Sequence, residues 1–244
     1  MQEVQGFIVL LDISGYTRYV RAHNLSYVPI LGKRFKQMGE EHAEAVVTDL
    51  LETLIESTQD FLRPEKLEGD AVLATAVVDD PEEFSRVLLP GLLRAFEAFH
   101  RRVHEIVFCR VCLCDCCRQM RELKLKVFVH HGRFLLKQVG PFREIAGQEV
   151  IRAHRLLKNS VDNDEYLMLT ESVVRLADAT EILEMKNHVE TDEQLGDTSV
   201  WVHFPEDHSS DWVVPRDSFI LRVRKMNAYF ENPKDRDSLL VAAK

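Results

Sequence analysis

Much of what the chain lacks is informative. Its 244 residues are 45% hydrophobic, yet no uninterrupted apolar stretch approaches the ~20 residues that a membrane-spanning helix requires. Glycine and proline are scarce, at 10 and 8 residues, and no internal repeat is visible. These proportions exclude collagen, low-complexity linker and intrinsic disorder. The N-terminus has no basic leader, and its apolar run Phe7–Leu11 stops at Asp12, unlike a signal peptide. A soluble, cytoplasmic protein is expected. Bases are outnumbered, 31 against 40 acids, for a formal charge of −9. That balance offers no general attraction to nucleic acid or to an anionic membrane. Cysteine is absent outside one short segment, Cys109, Cys112, Cys114, Cys116 and Cys117, so a disulfide framework spread through a secreted fold is excluded.

What is present reads as one large domain, or one and a half, at about 150 residues per domain. Gly6–Leu11 is a near-continuous apolar run, a central strand entering a turn. Val46, Val47, Leu50, Leu51, Leu54 and Ile55 recur at helical spacing within roughly 35–57. Phe61–Lys66 and Ala71–Val78 flank Gly69 as strand, turn and strand. Asp80 before Pro81 is a helix N-cap followed by proline at the first helical position. The Pro90-Gly91 pair should kink or split that helix. Leu123–His130 and Phe134–Val139 around Gly132 read as a hairpin. A helix over 147–158 follows, then strands Tyr166–Thr170, Ile182–Lys186 and Val200–Phe204, with a short helix from Glu171. The order suits an α+β sandwich, a mostly antiparallel sheet with helices on one face. From Asp207 the chain turns polar and reads as an arm or extra hairpin with a frayed end.

Asp12 closes the first strand and Asp70 opens the strand after the Gly69 turn. If the strands are neighbours, both carboxylates reach one sheet edge, where a hard divalent cation takes one or two carboxylates plus substrate phosphates. Taken singly, each acid reads more simply: Asp12 or Ser14 as a helix cap, Asp70 as a turn residue. Four segments taken together say more. FIVLLDISGYT, KLEGDAVLA, LKVFVHHG and GQEVIRAHRLL, in that order and at those intervals, resemble the catalytic domain of class III nucleotidyl cyclases (adenylate and guanylate cyclases), as a divergent bacterial-type member. The resemblance covers about 6–170 and implies a ferredoxin-like cyclase sandwich over 1–206, carrying the cysteine loop, with 207–244 as an extension.

The resemblance further implies roles. Asp12 and Asp70 match the aspartates that hold Mg²⁺ or Mn²⁺, with the Ile13 backbone as an added metal ligand. Ile13, Ser14, Gly15, Tyr16 and Thr17 match the segment that meets the triphosphate. Lys66 and Glu144 match the base-reading pair, which suggests ATP, and Arg155 matches the arginine that neutralises the phosphate. The implied protein is a homodimer that turns a nucleoside triphosphate into a 3′,5′-cyclic nucleotide and pyrophosphate by two-metal catalysis. One departure stands out: Ile151 occupies the position of the ribose-orienting asparagine, and an apolar side chain neither donates nor accepts. The alternative is therefore a catalytically degenerate nucleotide-binding or regulatory module. His130, His131 and His154 read as hydrogen-bonded structural groups. The cysteine run reads either as a Zn²⁺ site, off the usual two-pair spacing, as a redox site, or as a thiol-rich loop.

Overall fold

A computed structural model describes residues 1–21, 32–106, 119–178, 184–194, 196–206 and 217–231, with the side chains of 32–40 left aside. The elements are β1 (Gln2–Ser14), α1 (Tyr16–Arg21), α2 (Gly32–Thr58), β2 (Arg63–Glu68), β3 (Ala71–Ala76), α3 (Pro81–Glu105), β4 (Lys124–Val139), β5 (Phe142–Ala146), α4 (Gln148–Leu156), β6 (Tyr166–Thr170), α5 (Glu171–Val174), β7 (Lys186–Asp192), β8 (Gly196–His203) and α6 (Phe219–Glu231). The fold is α+β, with one open sheet in the order β2-β3-β1-β4-β6-β8-β7 and β5 paired to β4. β1–β3, β2–β3, β4–β5, β6–β8 and β7–β8 pair antiparallel, and β4–β6 pairs parallel.

The chain divides into two compact units. The first, residues 1–14, 54–97 and 125–206, holds the sheet. Its core joins Ile8 and Leu10 of β1, Phe128 and Phe134 of β4, Met168 of β6 and Val200 of β8 to Val150, Ala153 and Leu156 of α4. Those α4 residues are spaced three apart and so form one helical stripe. Phe7 points from the alternate face of β1 and meets Phe84 of α3, ring centroids 5.2 Å apart. Shelter on both sides explains why β1 reads as continuous apolar sequence rather than as an alternation.

The second unit comprises 15–53, 98–124 and 207–244, and its described elements are helical apart from one 3₁₀ turn at Met120–Glu122 and the first residue of β4. Asp49, 3% exposed, is held there by Arg102, with Nη2 and Nε 2.6 and 3.0 Å from Oδ1, while the Tyr229 hydroxyl donates to Oδ2 at 2.5 Å. His42 stacks on Phe230 at 3.8 Å. Tyr229 and Phe230 belong to α6, so the described part of the polar tail is a helix, not a hairpin.

Three further expectations change. β4 runs unbroken through Gly132, and the hairpin turn falls instead at Gly140, whose φ of 59° favours glycine. The strand expected at Ile182–Lys186 begins only at Lys186; residues 179–183 lie outside the described ones. Pro90 does not split α3, which is one helix over Pro81–Glu105. Gly91 beside it is required by packing, because a Cβ there would stand 2.6 Å from a ring carbon of Phe61. The Asp80 cap is as expected, its carboxylate accepting from Glu83 N–H at 2.9 Å.

Candidate functional site

β1 and β3 pair with Asp12 opposite Ala71, which brings the β1 end beside the Gly69-Asp70 turn. The Ile13 N–H donates to the Asp70 carbonyl at 3.0 Å and locks the two segments together. Antiparallel pairing therefore places Asp12 and Asp70 at one sheet edge for a local reason, a strand end meeting a glycine turn. Burial pushes the Asp12 carboxyl up to about 6, the nearby Asp70 charge pushes the same way, and Lys126 offsets part of this. Burial also raises Asp70, opposed by a hydrogen bond to its own backbone. Both effects mean that the two negative charges are poorly compensated where they stand.

A divalent cation is the group that such a pair suits: two acceptor-only oxygen donors in a partly dry place. Among the described residues no set of three or more His, Cys, Asp or Glu is arranged to hold a metal. The protein would supply two carboxylates and leave the other positions to water and phosphate oxygens.

The remaining residues fall in several places. The Ile13 side chain is fully buried. The Ser14 hydroxyl donates to Asp164 at 3.3 Å. Gly15, Tyr16 and Thr17 belong to the second unit, where the Tyr16 hydroxyl donates to Glu44 at 2.8 Å. Lys66 on β2 is half-exposed, with Glu68 3.7 Å away. Glu144 lies on β5 opposite Lys137. Their chain neighbours Glu65 and Arg143 form an ion pair of 3.1 Å, so β2 and β5 meet, and Lys66 and Glu144 stand next to that junction. Arg155 on α4 is engaged on the β7–β8 hairpin: Nη1 lies 3.0 and 3.3 Å from the Asp192 carboxylate and Nη2 2.6 Å from Gln194 Oε1. Ile151 is 52% exposed on the same helix. His154 lies 3.3 Å from Glu68. The five cysteines lie outside the described residues.

A family model described as "Protein of unknown function (DUF2652)" matches residues 47–166. The sequence is also 32% identical over 179 residues to "Uncharacterized protein Rv2561/Rv2562" of Mycobacterium tuberculosis, across 71% of this chain and 80% of that one. The chain belongs to the family of this mycobacterial protein. Among solved structures, the adenylyl cyclase CyaB from P. aeruginosa superposes with a TM-score of 0.57 at 12% identity, covering 85% of this chain and 97% of that one. A bacterial light-regulated adenylyl cyclase gives 0.57 at 14% identity; it covers 94% of this chain, which spans only 58% of that one. A class III adenylyl cyclase-like ATP-binding protein from Pseudomonas aeruginosa gives 0.50 at 14% identity over 72% of this chain and 35% of that one. At these identities the likeness is one of fold, and the fold is that of cyclase domains.

Three residues that engage these groups were not anticipated. Lys126 lies 3.6 Å from Asp164 and 5.4 Å from the Tyr166 ring centroid, and it offsets the charge of Asp12. Asp164 also takes the Ser14 hydrogen bond, and Asp192 holds Arg155. Lys126 occupies a polar position in the alternating Leu123–Val129 segment, the signal by which it was findable. No helix among the described residues is long and apolar enough to cross a membrane.

Proposed function

We propose that the chain is a nucleotidyl cyclase-type domain that binds a nucleoside triphosphate, ATP by preference, through a divalent cation at Asp12 and Asp70. It would convert the nucleotide to a 3′,5′-cyclic monophosphate and pyrophosphate. The observation that carries this is the Asp12–Asp70 pair: two partly buried carboxylates at one sheet edge, with Asp12 raised to about 6, an arrangement that a cation relieves. Mg²⁺ or Mn²⁺ bound there supplies Lewis-acid charge stabilisation to the phosphates and the attacking oxygen. The rest falls to the chain's own groups. Lys66 donates to the base and Glu144 accepts from it, as an adenine amine permits. Arg155 leaves Asp192 to neutralise charge on the phosphate, and residues 13–17 meet the triphosphate. Lys66, Glu144 and Arg155 come from a second copy of the chain in a homodimer.

The test is cyclic nucleotide formation from ATP with Mn²⁺. Wild type should form product, and Asp12→Asn and Asp70→Asn should abolish it. Product from both variants at the wild-type rate overturns the reading. A second reading, nucleotide binding without turnover, is favoured by the exposed Ile151, which gives a ribose no hydrogen bond. The same fold occurs in a solved protein described as ATP-binding. Turnover gained on Ile151→Asn would identify a site complete but for its sugar anchor. Zinc at the cysteine run is a separate proposal, to be decided by elemental analysis of protein purified without chelator.

A further inference from the structure

The His130-His131-Gly132-Arg133 motif has no part in the proposed chemistry, yet it lines a cavity of about 640 Å³ with the start of α4, the β6–α5 junction and the first residues of β8. The lining is built rather than incidental. His130, 5% exposed, is fixed at both ring nitrogens, Nδ1 2.9 Å from the Thr170 hydroxyl and Nε2 2.7 Å from Glu149. Arg152 donates from Nε to Glu149 at 3.1 Å and from Nη1 to the Thr198 hydroxyl at 3.1 Å. Gly132 makes this fit possible. A Cβ there would come within 2.8 Å of Glu149 Cγ and 3.0 Å of His130 Nε2, so only glycine lets the carboxylate and the imidazole meet.

The charged groups lining this cavity are unevenly engaged. Each acid has a partner: Glu149 has His130 and Arg152, Glu171 has Arg175 at 2.6 Å, and Asp197 accepts from Thr191 at 2.8 Å. Arg133 is exposed, and among the described residues no carboxylate pairs with it. His131 is only 8% exposed, and its Nε2 is buried without a hydrogen-bond partner. An unpaired guanidinium, a second guanidinium already oriented, and the hydroxyls of Ser172 and Thr198 place several donors around one open depression in a chain of net charge −9. Guanidinium groups recognise carboxylate and phosphate oxygens in planar pairs, and the volume is that of an ordinary small-molecule pocket.

We propose that this cavity is a second binding site, for a small molecule bearing a carboxylate or phosphate group, with Arg133 and Arg152 as its anion contacts. It stands independently of the reading given to Asp12 and Asp70.

The experiment is titration calorimetry on the full chain in the presence of chelator, which silences any cation-dependent nucleotide site. Inorganic phosphate and succinate are the two probes, with the His130 and His131 ring resonances followed by NMR. Saturable binding at millimolar concentration or tighter should perturb both rings. Arg133→Gln, at an exposed and unpaired position that folding does not need, should weaken it about tenfold, the effect of losing one charge-assisted hydrogen bond. Arg152→Gln should do the same, and Arg152→Lys should restore part of it. Binding of phosphate alone identifies a phosphoryl ligand, and of succinate alone a carboxylate. Lack of saturable binding by either probe, or wild-type affinity in both Gln variants, overturns the proposal.

Discussion

Asp49 is a buried carboxylate and Asp12 a partly buried one, and the chain treats them oppositely. Asp49 in the helical unit is surrounded by donors, with two from Arg102 on one oxygen and the Tyr229 hydroxyl on the other. Asp12 in the sheet unit has a like charge for a neighbour and a lysine acting from a distance. The first arrangement is a closed network that fastens α2, α3 and α6. The second leaves electrostatic demand unmet, and folding alone gives no reason to keep two acids there. The contrast separates an acid that serves structure from one available for chemistry.

Arg102→Ala strands the buried Asp49 charge and should cost about 3–5 kcal/mol of unfolding free energy, the range for breaking one partner of a buried pair; urea denaturation reads it. An unchanged midpoint would mean that Asp49 is solvated after all. Asp70→Asn should leave the fold intact while lowering cyclic nucleotide formation by on the order of 10²–10³ or more, the scale for removing one preorganised electrostatic contact, measured as product per enzyme with Mn²⁺.

Asp12→Asn should stabilise the protein in a pH-dependent way. The Asp12 pKa is raised from 3.8 to about 6 on folding, so its favourable contribution is complete below 3.8 and disappears as pH rises through about 6. The melting temperature of the variant should therefore exceed wild type at pH 7.5 and converge with it in acid. Added Mn²⁺ should narrow the gap at pH 7.5 by raising wild type alone. Smallest, Tyr229→Phe removes one hydrogen bond from Asp49 and should cost about 1 kcal/mol, readable as a modest shift of the denaturation midpoint.

The sequence made some features legible and hid others for identifiable reasons. β1, the Gly69 turn and the Asp80 cap follow from short-range signals, and the Asp12–Asp70 pair follows from them because a strand end and a turn suffice to juxtapose it. Gly132 misled: it looks like turn punctuation between two apolar segments, but its backbone is not left-handed, and it is needed so that Glu149 can approach His130. Pro90-Gly91 does not split the helix, and its glycine answers to Phe61. The engagement of Arg155 by Asp192 was not legible, because it joins residues 37 apart through the β7–β8 hairpin. Lys126 and Asp164 likewise meet only through the parallel β4–β6 ladder.

The grip of Asp192 and Gln194 on Arg155 has a consequence for selectivity. A guanidinium that already holds a carboxylate is not an open docking point but one side of an exchange: an incoming oxyanion has to displace a resident one. If Arg155 meets a triphosphate as proposed, weakly charged anions would lose that contest and a highly charged polyphosphate would win it, so the hairpin tip would act as a threshold on ligand charge, set before any base is read.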